Sequence, residues 1–149
     1  MSKRQSIITA LITRLETITT ANGYNTNLGN NVEEWQTFEA DPSVADMIIV
    51  KDVSCTLLEG EEDDNIGDYW TRKLTVQVII ITEGKTSAAK QRNGIDDVYR
   101  AIGIDDTLGG LCEPIESEGD QTDIDRQAKT YGGTLITLGI TYRVERWTD

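Results

Sequence analysis

The sequence predicts an α+β fold: a mostly antiparallel β-sheet with two helices packed on one face. Three observations lead there. An apolar stripe of helical period opens the chain, two long segments alternate apolar and polar residues, and a second segment of helical period lies between those two. The predicted order is α-β-β-β-α-β-β, with a long central hairpin.

From Lys3 to Ala21, Ile7, Ile8, Leu11, Ile12, Leu15 and Ile18 fall on one stripe of period 3.6, which predicts the first helix. Asn22-Gly23 ends it, because glycine accepts a left-handed cap without a Cβ clash. Tyr24 follows where its ring can fold back on the last turn. The chain then reverses around Asn27-Leu28-Gly29-Asn30, residues that tolerate positive φ and bond nearby backbone.

A strand is expected from about Asn31 to Phe38, and Asp41-Pro42-Ser43 breaks it. Residues 46–58 and 69–83 read as strands. In the second, Trp70, Leu74, Val76, Val78 and Ile80 share one face, and Thr71, Lys73, Thr75 and Gln77 share the other, with Arg72 interrupting the apolar face near its outer end. The intervening 59–68 is longer than an ordinary hairpin loop and is expected to protrude as an arm.

Thr86 or Ser87 can cap a second helix running to about Ile102, with Ala88, Ile95, Val98, Tyr99 and Ile102 inward, Gly94 as a weak point and Gly103 as the stop. A short strand is expected at Leu111 to Glu116, then an acidic loop over 113–125. A long strand from about Lys129 to Trp147 closes the fold. Trp70 reads as core, and Trp147, near Arg143 and Arg146, reads as a plug on the sheet or as an interface anchor.

At 149 residues the chain fits one domain, 1–149, with a genuine core. Its net charge of −12 is unevenly placed. Glu59, Glu61, Glu62, Asp63, Asp64 and Asp68 lie in one base-free stretch, and Glu113, Glu116, Glu118, Asp120, Asp123 and Asp125 lie in another. The remaining acids balance the 14 Lys and Arg. Two acidic segments on a balanced body argue against direct capture of nucleic acid, which needs a basic face.

Lys3 and Arg4 are followed by an amphipathic helix rather than an apolar h-region, and no apolar run approaches the ~20 residues that cross a bilayer. A cytoplasmic setting without membrane contact is expected. Cys55 and Cys112 form no CxxC pair, and the chain has no histidine, so the thiols read as reduced and structural, with no metal site.

Gly84-Lys85-Thr86 follows a strand and precedes a helix, as at the end of a phosphate-binding loop. The signature needs a further glycine where Ile79 stands, so the segment reads as a strand-to-helix turn. The acidic stretches lack the ligand spacing of a calcium loop and read as solvated. Without histidine or a nucleophile motif, no catalytic residues, cofactor or metal are assigned, and the chain is expected not to be an enzyme.

The opening helix ending in "ITTANGYNTNLG", the "NNVEEW" strand, the Asp41-Pro42 break, the central hairpin, the "KTSAAKQRNGIDDVYRAIGID" helix and the closing "GGTLITLGITYRVERW" strand together resemble the tail terminator, or tail-completion, proteins of long-tailed bacteriophages. The likeness spans nearly the whole chain. It implies a structural virion protein, assembled in the bacterial cytoplasm. Such a protein forms a ring, hexameric in the family, on the head-proximal end of the tail tube, ends tube polymerisation and offers a docking surface to the head connector.

Implied partners are further copies of the chain, the tail-tube protein and the head-tail connector protein, with genomic DNA only passing through the lumen. Glu59, Glu61, Glu62, Asp63, Asp64 and Asp68, or the 113–125 loop, are then expected to face the lumen, where carboxylates repel phosphates, or to order against a neighbouring subunit. Arg143, Arg146 and Trp147 are candidates for the interface. Another neck, connector or tube component is the alternative function, and a small metal-dependent enzyme the remote one.

Overall fold

The computed structural model describes residues 1–35, 46–58, 68–126 and 130–149. It is an α+β structure. Helix α1 (Lys3–Leu15) leads through two 3-10 turns, Thr20–Asn22 and Leu28–Asn30, into β1 (Val32–Glu34), β2 (Met47–Leu57), β3 (Tyr69–Glu83), α2 (Ser87–Ile104), β4 (Glu116–Arg126) and β5 (Thr130–Glu145). The sheet order is β1-β2-β3-β5-β4. β1 runs parallel to β2 and every other pairing is antiparallel, so the sheet is mixed.

The central hairpin forms as expected, with a bulge between Asp52 and Ser54. β3 and β5 pair along their whole length, from Tyr69 opposite Glu145 to Glu83 opposite Tyr131. Alternation decides their faces. Leu74, Val76, Val78 and Ile80 of β3 and Ile136, Leu138, Ile140 and Tyr142 of β5 enter one buried cluster with Ile7, Leu11 and Leu15 of α1 and Val98 and Ala101 of α2. Burying such side chains contributes about 1.5–3 kcal/mol each, which makes this cluster the main source of stability. No helix among the described residues is long and apolar enough to cross a membrane.

Three expectations are corrected. The first helix stops at Leu15 rather than Ala21. There Thr17 offers its own bond, Oγ1 donating to the Arg14 carbonyl at 2.6 Å, and such local bonding competes with helix propagation. Ile18 is nevertheless fully buried, delivered by a turn. The second correction concerns 113–125, where Glu116–Arg126 is strand β4 and Leu111–Cys112 is turn rather than strand. An edge strand with its described side chains exposed takes its backbone bonds from β5 and needs no apolar alternation. Third, Ala88 is exposed, and Thr86 stands at the N-cap of α2 without making a side-chain cap bond.

The far half of the strand expected to Phe38, the Asp41-Pro42-Ser43 break and most of the 59–68 arm lie outside the described residues.

The asparagine-rich turn is held by tertiary bonds. The Asp97 carboxylate on α2, fully buried, accepts from the backbone N–H groups of Asn25 and Thr26 at 3.0 and 2.8 Å, from Asn25 Nδ2 at 3.1 Å and from Thr26 Oγ1 at 2.8 Å. Asn27 Oδ1 accepts from Thr20 N and Oγ1, and Asn22 Nδ2 donates to the Thr17 carbonyl. Gly29 is required by close approach, since a Cβ there would lie 2.6 Å from the Glu16 carbonyl oxygen and 2.7 Å from that of Ile18. Gly94 has a similar reason on α2, where a Cβ would meet Leu28 Cδ1 at 2.8 Å. What reads in sequence as a weak point is the place where the helix admits the turn.

Candidate interaction surface

Two exposed aromatic residues, Tyr69 and Trp147, lie at the end of the sheet where β3 begins and β5 ends. Trp147 follows β5 with φ +61° and is 85% exposed. A left-handed backbone is costly for a bulky residue and persists only where the surroundings hold it. Two contacts do so here: the Arg146 N–H donates to the Asp68 carbonyl at 2.6 Å, and the Trp147 ring meets Trp70 edge to face at 4.7 Å between centroids. The guanidinium groups of Arg146 and Arg72 lie 5.9 and 5.7 Å from the Trp70 ring centre. Trp70 is half-buried at the rim of the core rather than inside it.

Asp149 ties this corner to the rest of the molecule. Its carboxylate accepts from Tyr142 Oη at 2.8 Å and faces Arg72 at 3.6 Å and Arg4 at 3.9 Å, while its carbonyl accepts from Lys3 N at 2.8 Å. Arg4 in turn bonds Asp52, and Asp52 also accepts from the indole N–H of Trp35. Trp35 is 51% exposed, has φ +50° and lies 5.7 Å from the Lys51 ammonium. Polar contacts therefore run from Trp35 through Asp52, Arg4 and Asp149 to Arg72, whose guanidinium lies over the Trp70 ring on which Trp147 packs.

The electrostatics follow from these contacts. Burial opposes the charged form of Asp52, yet the bonds from Trp35 and Arg4 and the Arg4 charge outweigh it and hold the carboxyl below its ordinary value. Tyr142 is pushed upward by burial and by its bond to Asp149, so it stays a neutral donor. Cys55 Sγ lies 3.7 Å from the Tyr142 hydroxyl. Cys112 is pushed up to about 11 by burial, with Asp105 and Asp106 adding to the effect, and it is a poor nucleophile at neutral pH.

The candidate interface residues separate. Arg146 and Trp147 sit together at Trp70. Arg143 pairs with Thr71 and so points to the opposite sheet face from Trp70, exposed, while its carbonyl accepts from Lys3 Nζ. Of the acidic arm, Asp68 is described, and it borders a depression of about 400 Å³ with Tyr69, Glu145 and Arg146. Glu59, Glu61, Glu62, Asp63 and Asp64 lie outside the described residues.

The second acidic segment becomes an edge of the sheet. Glu116, Glu118, Asp120 and Asp123 on β4 are exposed, Glu118 meets Lys73 at 2.9 Å, and Asp120 accepts from the Tyr99 hydroxyl at 3.1 Å. A bulge interrupts β4 between Ser117 and Gly119. Charge and a bulge on an edge strand both discourage another strand from adding to it. Among the described residues no three His, Cys, Asp or Glu side chains form a metal-holding group.

Trp35 is conspicuous in the sequence, but its link to Asp52 and Arg4 is not. The aromatic ring beside acids in "VEEW" was visible, but its partner is 17 positions away and contact depends on the β1–β2 pairing. Compared with known proteins, the chain matches no family model and no curated sequence.

Proposed function

We propose that the chain is a structural assembly protein of a phage tail, a ring-forming subunit that sits on the head-proximal end of the tail tube, stops its growth and receives the head connector. The sequence resemblance supplies this assignment, and one structural observation supports it: an exposed tryptophan held in a left-handed backbone over a second tryptophan, flanked by arginine. Rigid Trp with Arg is the composition that concentrates binding energy at protein interfaces. In this reading Trp147 and Arg146 contact a neighbouring subunit or tube protein. The carboxylate edge of β4 stays uncovered and faces the lumen, where it repels DNA phosphates. Its bulge and charge suit a strand that must not be extended.

Electron microscopy of particles made when the gene is silenced tests the proposal. Separate heads with overlong, unjoined tails are the expected result. Absent tails point instead to a tube or initiator role, and normal-length tails without heads point to a connector; either overturns termination. In complementation, Trp147→Ala should leave a folded chain that no longer rescues tail length.

A further inference from the structure

A second feature lies away from the tryptophan surface. The asparagine-rich turn, the start of β2, the end of β3 and α2 enclose a cleft of about 370 Å³. Its floor includes Leu28 and Thr82, both buried, and its rim carries Asn27, Asn30, Asn31 and Asn93. We propose that this cleft binds a neutral saccharide of one or two hexose units, independently of the assembly role.

Charge narrows the ligand first. The charged side chains lining the cleft among the described residues are Lys90 and Asp46, and they pair at 2.9 Å. Lys90 also donates to the Glu83 carbonyl at 2.9 Å, and the other Asp46 oxygen accepts from Glu83 N–H at 3.1 Å. The two charges compensate each other, so the described lining carries no net charge and suits an uncharged ligand.

The free groups narrow it further. The side-chain amides of Asn30 and Asn93 make no hydrogen bond to described residues, and Asn27 uses its Oδ1 on Thr20 while its NH2 remains free. A carboxamide presents an acceptor and two donors side by side. That pattern complements neighbouring hydroxyls, each of which both donates and accepts. The volume lies at the small end of ligand sites, about 300–1,000 Å³, and suits a sugar ring better than an extended peptide, which advances ~3.3 Å per residue.

The cleft is also held in shape before any ligand arrives. Asp97 fixes Asn25 and Thr26 with four hydrogen bonds, Gly29 and Gly94 allow backbone approaches that a methyl group would block, and Asp46 is locked at φ +57° by its bonds to Lys90 and Glu83. A fixed site loses little freedom on binding, which favours recognition by a few polar groups.

The experiment is an NMR titration of the ¹⁵N-labelled full chain with glucose, galactose, N-acetylglucosamine and maltose, each to about 100 mM, a range that detects millimolar affinity. Glucose 6-phosphate and acetyl-Gly-Asn-Gly-amide are the comparison ligands. The expected result is saturable shifts of the Asn30 and Asn93 side-chain NH2 signals with at least one neutral sugar, weakened about fivefold in Asn93→Ala and in Asn30→Ala. Both side chains are exposed, so the two variants should melt like the parent, which confines the effect to binding. No shift with any neutral sugar overturns the proposal. So does tighter binding of the phosphorylated sugar or the peptide, or a titration that both substitutions leave unchanged.

Discussion

Replacing Asp97 by alanine isolates the contact that organises the asparagine-rich turn. Asp97 is fully buried and accepts four hydrogen bonds of 2.8–3.1 Å from two residues more than 70 positions earlier, with Arg100 adding a contact at 3.6 Å. Hydrogen bonds to a charged acceptor are worth ~1.5–3 kcal/mol each. The sum is not realised, because Asn25 is exposed and water can replace the carboxylate there. The Thr26 donors are half-buried and recover less. A loss of about 3–5 kcal/mol is expected for Asp97→Ala, equivalent to a melting point lowered by roughly 8–15 °C at this chain length. Asp97→Asn keeps one acceptor oxygen but turns an NH2 toward existing donors, and should cost about 1–2 kcal/mol. Urea unfolding measures both, and hydrogen exchange should show the amides of Asn25 and Thr26 deprotected in the alanine variant. The reasoning fails if Asp97→Ala stays within about 1 kcal/mol of the parent, if asparagine costs as much as alanine, or if those two amides keep their protection.

Three further outcomes follow from particular contacts. Gly29→Ala must displace backbone oxygens at 2.6 and 2.7 Å and should destabilise by about 2 kcal/mol or more, whereas Gly103→Ala, with nothing within 4 Å of its Cβ on α2, should stabilise by about 0.5–1 kcal/mol; urea midpoints that move the same way for both would refute the contrast. Asp52 is held below its ordinary value of 3.8, so its contribution is present above that pH and is lost as pH falls through the lower folded value; Asp52→Asn should therefore reduce stability at pH 6 and flatten its decline below about pH 4, read from urea midpoints across that range. Cys112, raised to about 11, should react with iodoacetamide at pH 7.5 well over tenfold more slowly than an unstructured peptide thiol; peptide-like labelling, followed by mass spectrometry, would contradict the burial that causes the shift.

Much of the α+β framework is written locally. The stripe of Ile7, Leu11 and Leu15 and the alternation through β3 and β5 each carry one wet and one dry face, and a face that must be buried imprints its period on the sequence. That logic also explains the failures. β4 has carboxylates where alternation would be sought, since its backbone takes its hydrogen bonds from β5 while its described side chains stay exposed. The end of α1 depended on a threonine, Thr17, bonding the Arg14 carbonyl three residues back, a competition too close for a stripe of apolar residues to reveal.

The candidate surfaces divide in the same way. That Trp35, Trp147 and the asparagines near residue 25 were unusual could be read from the chain itself, because large aromatics and clustered carboxamides are conspicuous wherever they fall. What they touch could not. The bonds of Asp97 to Asn25 and Thr26, of Asp52 to Trp35 and of Asp149 to Tyr142 are made only after strands and helices have packed, and the edge-to-face contact of Trp147 with Trp70 needs β3 and β5 in register. Sequence by itself determined the secondary periods and the uneven charge, which are local properties. Tertiary structure alone decided which polar groups meet, because a hydrogen bond depends on positions good to a few tenths of an ångström and no local pattern encodes that.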